Sequence, residues 1–112
     1  DFDLFSGDDA SAREFILRGG QGVISVTANV APKLMHEMCQ AALSGDREAA
    51  GSVDARLAAL HRDLFAESNP IPVKWAVAQL GLAPAGIRLP LTWLSEAAQP
   101  RVRKAMEEAG II

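Results

Sequence analysis

The apolar positions of this chain fall into two rhythms, and the change between them maps its elements. At the start Phe2 and Leu4 alternate with Asp1 and Asp3, a period of two that marks a strand. The segment Phe2 to Phe5 therefore predicts a short strand running into Ser6-Gly7-Asp8-Asp9, a cluster with turn and helix-capping chemistry. From Ala10 to Arg18 the spacing becomes helical, with Ala12, Phe15 and Ile16 on one side and Gly19-Gly20 as the stop. Gly22 then opens Val23-Ile24-Ser25-Val26, a β-branched run bounded by turn residues, as expected of a buried parallel strand. Beyond it the helical period holds. Leu34, Met35, Met38, Ala41 and Ala42 mark a helix ending near Gly45, and Asp46 stands where it can cap the next. That next helix carries Val53, Leu57, Leu60 and Leu64 at steps of four, three and four, one buried stripe. Asn69-Pro70-Ile71-Pro72 interrupts the pattern, with Asn69 in an N-cap position. Val73 to Leu80 follows as a short helix stopped by Gly81. Arg101 to Ala109, with Val102, Ala105, Met106 and Ala109 on one face, closes the chain before Gly110.

Strand, helix, strand and then only helices is an order with a physical problem in it. A βαβ unit places its strands in parallel, and parallel strands are normally buried on both faces within a larger sheet that two strands cannot supply. A (β/α)8 TIM barrel does supply one, needs roughly 200 or more residues, and can carry extra helices after its final units. The expected fold is therefore α/β: the C-terminal part of a (β/α)8 TIM barrel, its last two strands, followed by a C-terminal helical region. On this reading residues 1–32 hold the last two β/α units. Residues 33–112 hold the closing barrel helix and the helical region. The remaining strands are expected to lie N-terminal to Asp1.

Composition adds mainly exclusions. Hydrophobic residues make up 49% and charged residues 22% of the 112, which suits a packed globular domain and not a disordered chain. The net charge is −3 and the Lys and Arg residues are dispersed, so the basic face expected for nucleic-acid binding is missing. No apolar run approaches the roughly 20 residues of a membrane span. The one cysteine, Cys39, lies in a helical pattern, which fits a reducing, cytoplasmic setting. His36 and His61 have no third ligand at useful spacing, so no metal is expected.

Chemistry in a barrel gathers where the βα loops converge, at the C-terminal ends of the strands. Ser6-Gly7-Asp8-Asp9 and the segment after Val26 both stand at such positions. The plain structural account is that Asp8 or Asp9 caps the following helix, that Ile24 is a buried strand residue, and that Asn69 caps the helix after it. Beside that account stands a resemblance covering nearly the whole chain. Leu4-Phe5-Ser6-Gly7-Asp8-Asp9-Ala10, Gly19-Gly20-Gln21-Gly22-Val23-Ile24-Ser25-Val26-Thr27-Ala28-Asn29, Asn69-Pro70-Ile71-Pro72-Val73-Lys74-Trp75 and Leu89-Pro90-Leu91 resemble the dihydrodipicolinate synthases of the N-acetylneuraminate lyase superfamily. The second and third segments are the specific ones, and the third resembles the synthase branch more than the sialic-acid lyase branch.

That resemblance implies condensation of pyruvate, held as a lysine Schiff base, with aspartate semialdehyde to give 4-hydroxy-tetrahydrodipicolinate in lysine and diaminopimelate biosynthesis. It implies no cofactor, because the Schiff base is itself the electron sink, and a homotetramer as the usual assembly. It places the Schiff-base lysine on a barrel strand before the first strand of this chain, so the 112 residues alone are expected to be inactive. Lys33, Lys74 and Lys104 fall in predicted helices and are rejected as the nucleophile. Three contacts carry over. Ile24 matches the residue whose main-chain carbonyl lies beside bound pyruvate, Gly7 a backbone position lining the same pocket, and Asn69 a residue that helps hold the second substrate. Two alternatives stay open: a sialic-acid or sugar-acid lyase of the same superfamily, and a non-catalytic helical interaction fragment.

Overall fold

Backbone hydrogen bonding explains why the helices of this chain are long and its strands short. A helix satisfies its own N–H and C=O groups, whereas a strand needs a neighbour on each side. In the computed structural model, which describes residues 1–112, β1 is Phe5–Ser6 and β2 is Gly22–Val23. They pair in parallel, Phe5 opposite Gly22 and Ser6 opposite Val23, as the only two strands of one sheet. Gln21 N–H to the Leu4 carbonyl at 2.8 Å and Ile24 N–H to the Ser6 carbonyl at 2.8 Å extend the ladder at either end.

Between the strands runs α1, Asp9–Leu17, capped by Asp8, whose carboxylate accepts from Ser11 N–H at 3.1 Å. Gly19 follows with φ +114°, a conformation few other residues adopt. After β2 the backbone makes one 3-10 turn at Thr27–Asn29, and α2 then runs from Pro32 to Leu43. Pro32 sits in its first turn, where a missing N–H costs nothing. The longest helix, α3, spans Arg47–Asp63 and is capped by Asp46, whose carboxylate accepts from Ala49 N–H at 3.0 Å. The remaining helices are α4, Ile71–Gln79, and α5, Gln99–Ala109, the latter ended by Gly110 in the left-handed region.

The leucine stripe read from the sequence is the centre of the core. Leu57, Leu60 and Leu64 are fully buried with Met38 of α2 and Val102 and Met106 of α5, while Val53 is half-buried at the margin. Asp63, at the end of α3, binds Arg101 of α5 at 2.7 Å. Its carboxyl is held below the ordinary carboxylate range by the hydrogen bond from Arg62 and, against the opposing effect of burial, by that from Arg101.

Three expectations need correction. The first strand is Phe5–Ser6 and not Phe2–Phe5, and Phe2 is 83% exposed. The second strand ends at Val23, and Ile24, expected to be buried, is 75% exposed. Both follow from the sheet having two strands: an apolar residue of β1 or β2 can be covered on the α1 side, and nothing within these residues covers the other side. Asn69 does not cap α4. The N-cap is Pro70, and no side chain caps the helix. The N–H of Ile71 is taken by the Ser68 carbonyl at 2.8 Å and Pro72 has no N–H, so the donors an Asn69 cap would serve are already accounted for.

Candidate functional site at the strand ends

The C-terminal ends of β1 and β2 lie side by side, and each feeds a loop. On the β1 side the buried Ser6 hydroxyl accepts from Asp8 N–H at 3.0 Å, which closes a tight turn around Gly7. Gly7 is exposed, and a Cβ added to it would meet nothing within 4 Å. The space beside its backbone is open for another group to approach. Gly20, by contrast, lies against the Phe15 ring, where a Cβ would approach to 2.2 Å.

Asp9 joins the two loops. It opens α1, yet its buried carboxylate turns away from that helix. It accepts from Val26 N–H at 2.9 Å, from Thr27 N–H at 3.1 Å and from the Ser25 hydroxyl. Ser25 Oγ also accepts from Ala28 N–H at 2.9 Å. The two adjacent aspartates therefore divide the work: Asp8 caps α1 and Asp9 caps the turn after β2. Ile24 stands immediately before this pinned loop, with its N–H on Ser6.

Beneath the loop lies a line of polar side chains. Thr27, fully buried, has its Oγ1 2.9 Å from His61 Nδ1. His61 Nε2 lies 3.2 Å from Asp54 Oδ1, and Arg13 Nε donates to Asp54 Oδ2 at 3.1 Å. Burial opposes the charge on Asp54, and the hydrogen bonds from His61 and Arg13 outweigh it, holding the carboxyl below its ordinary range. A carboxylate only accepts, so the His61 proton resides on Nε2, and in the neutral ring Nδ1 accepts from Thr27. Neither this line nor the second role of Asp9 was identified in the sequence. Asp54 and His61 are two turns apart on one helix, a spacing that could have paired them. Their partners Arg13 and Thr27 are distant along the chain, and nothing local points to them.

The structure brings Gly7 and Ile24 to the same end of the strand pair. Asn69 is exposed on the turn before α4, and the next residue, Pro70, lines an open cleft of about 230 Å³ with Asn29, Val73, Lys74 and Val77. Lys33, Lys74 and Lys104 are exposed on α2, α4 and α5. His36 is exposed on α2. No helix is long and apolar enough to cross a membrane.

Comparison with known proteins gives this arrangement a family. The dihydrodipicolinate synthetase family model matches residues 1–109. The 4-hydroxy-tetrahydrodipicolinate synthase of Methylococcus capsulatus is 63% identical over 111 residues, and that of Thioalkalivibrio sulfidiphilus 65% over 109. These matches cover 99% and 97% of this chain but 38% and 37% of the relatives, so the chain spans under two-fifths of their length. Among solved structures, the chloride-inhibited dihydrodipicolinate synthase of Acinetobacter baumannii in complex with pyruvate superposes with a TM-score of 0.96 at 50% identity, over 99% of this chain and 38% of that one. A monomeric dihydrodipicolinate synthase variant superposes at 0.94 with 40% identity, over 99% and 37%. The fold is the C-terminal part of a TIM barrel, its last two strands followed by helices, and the chain belongs to the dihydrodipicolinate synthetase family.

Proposed function

We propose that this chain is the C-terminal portion of an enzyme that condenses pyruvate with aspartate semialdehyde to give 4-hydroxy-tetrahydrodipicolinate. The observation that carries the reading is identity above 60% to synthases of that name along essentially the whole chain. In this proposal a lysine outside the chain condenses with the pyruvate carbonyl, releasing water. The resulting Schiff base allows the pyruvate methyl group to lose a proton and attack the aldehyde. Residues 1–32 supply the last two β/α units and residues 33–112 the closing barrel helix and helical region. No catalytic acid, base or nucleophile comes from these residues.

Their part is to shape the pocket. The main-chain carbonyl of Ile24 lies beside pyruvate, the Gly7 backbone lines the same pocket, and Asn69 helps hold the second substrate. Supporting this are the adjacent strand ends, the open space at Gly7, and an Asn69 side chain that caps no helix. The exposed apolar residues Phe2, Leu4, Phe5 and Ile24 support barrel strands packing against β1 and β2. The intact enzyme is proposed to be cytoplasmic and homotetrameric.

The test is sodium borohydride reduction of the intact enzyme with pyruvate, followed by mass measurement, and then turnover with aspartate semialdehyde. A reduced pyruvate adduct and condensation are expected. An adduct accompanied by cleavage of N-acetylneuraminate and no condensation overturns the choice of aldehyde. Absence of any adduct overturns the Schiff-base mechanism.

A further inference from the structure

The line of polar groups under the loop after β2 is more elaborate than packing requires. Thr27 is fully buried, and a valine would fill the same volume. The His61 ring is buried on the edge of the leucine stripe, where an apolar residue would pack without desolvating any polar atom. Buried polar groups of this kind are often no more stabilising than apolar replacements of the same shape, but they admit only the geometry in which every partner is met. Arg13 and His61 both donate to Asp54, which puts a ring proton on Nε2, and in the neutral ring the other nitrogen accepts from Thr27. Asp9 holds the backbone N–H of the same threonine from the opposite side. The segment that follows Ile24 is thereby gripped from α1 through Asp9 and from α3 through His61.

We infer that His61, oriented by Asp54 and acting through the Thr27 hydroxyl, is a positioning residue that sets the loop after β2 and with it the Ile24 carbonyl. The inference rests on the reading above that this carbonyl lies beside pyruvate. His61 and Thr27 touch no substrate in this account. They act on the site by holding the backbone of residues 25–27 in register with β2.

The test compares the intact enzyme with its Thr27→Val and Thr27→Ser variants, measuring kcat, KM for pyruvate, melting temperature and the borohydride-trapped adduct. Valine keeps the shape and loses the hydroxyl, and serine keeps the hydroxyl. A misplaced pyruvate contact weakens binding of the ground state and transition state alike, so Thr27→Val is expected to raise KM about tenfold with kcat within about threefold of the parent. Thr27→Ser is expected to return KM to within about twofold of the parent, whatever its melting temperature. If Thr27→Val does not fold, His61→Gln carries the test. It retains hydrogen-bonding capacity without the rigid spacing of the ring, and a KM increase of at least about threefold is expected. Parental KM in the folded valine variant, or in His61→Gln where valine does not fold, overturns the inference, as does equal impairment in the valine and serine variants, which would assign the effect to packing. A parent enzyme that forms no pyruvate adduct overturns the reading of the site and this inference with it. An adduct with unchanged KM in the variants overturns this inference alone.

Discussion

The strand pair and the helical region are built from the same apolar residue types, yet one completes itself and the other does not. In the helical region α2, α3 and α5 pack Met38, Leu57, Leu60, Leu64, Val102 and Met106 out of contact with water. At the strand pair, ladders of two residues each leave Phe2, Leu4, Phe5 and Ile24 exposed. Helices close their hydrogen bonds internally and ask of their neighbours only a matching stripe. Parallel strands need further strands for their outer edges and outer faces. The region that carries Gly7 and Ile24 is thus the one left with uncovered apolar side chains.

The sharpest way to break this comparison is to ask these residues to work without the rest of the enzyme. The 112-residue chain, expressed by itself and treated with pyruvate and borohydride, is expected to gain no adduct, whereas the intact enzyme gains one. The effect expected is complete loss. An adduct mapped to Lys33, Lys74 or Lys104 would overturn the division of labour proposed here. The exposed apolar strand edge should also make the isolated chain self-associate, which sedimentation would detect. A cooperatively melting, monodisperse monomer would show that the strand pair needs no partner.

The helical half is broken from within. Leu60→Ala removes a fully buried side chain at the centre of the stripe. It is expected to cost about 2–5 kcal/mol in urea unfolding, according to how far the surroundings collapse around the cavity. A loss below about 1 kcal/mol would mean that the helices are looser than a core of this kind allows.

The same contrast decides what could be read before the structure. The Leu57-Leu60-Leu64 stripe, the Asp46 cap and the Gly110 stop were legible because each is set by residues within a turn or two of itself. Strand length was not, because a strand ends where its partner does, and neither Phe2 nor Ile24 records how many neighbours it has. Asn69 looked like a cap, and Ser68 and Pro72 removed the donors it would have served. At the site, turn residues located the loop after β1, while the loop after β2 was expected only beyond Val26 and begins at Ile24. The roles given to Gly7, Ile24 and Asn69 came from the resemblance of whole segments and not from periodicity. Asp9, expected to compete with Asp8 for one helix, serves a turn that is 17 residues away at Val26 and 18 at Thr27. The bond from Thr27 to His61 spans 34 residues. Local pattern carries no information on contacts of that range.

Asp9 offers a way to sharpen the comparison, because it is where the incomplete half is tied to the first helix. Asp9→Asn keeps the size of the side chain and replaces a charged acceptor of Val26 N–H, Thr27 N–H and the Ser25 hydroxyl with a neutral one. Hydrogen bonds to charged groups contribute about 1.5–3 kcal/mol, and a loss toward the lower end of that range is expected because the amide oxygen still accepts. In the intact enzyme the pyruvate KM should rise along with the loss of stability, since the pinned loop follows Ile24 directly. Lost stability with an unchanged KM would leave Asp9 as a fold residue with no bearing on the site.

The smallest effect is expected at the residue proposed to lie nearest the chemistry. If Ile24 acts through its main-chain carbonyl, the side chain matters only for how the barrel packs around it, and Ile24→Val keeps both the β-branched backbone preference and most of the volume. Removing one methylene at a site that neighbouring strands cover is expected to cost about 0.5–1.5 kcal/mol in the intact enzyme. The value of kcat and the pyruvate KM should remain within about twofold of the parent. A variant that lost activity while its pyruvate affinity and stability stayed intact would mean that the side chain takes part in the reaction itself. The account of these strand ends as a backbone-lined pocket would then have to be replaced by one in which a side chain of this segment meets the reacting atoms.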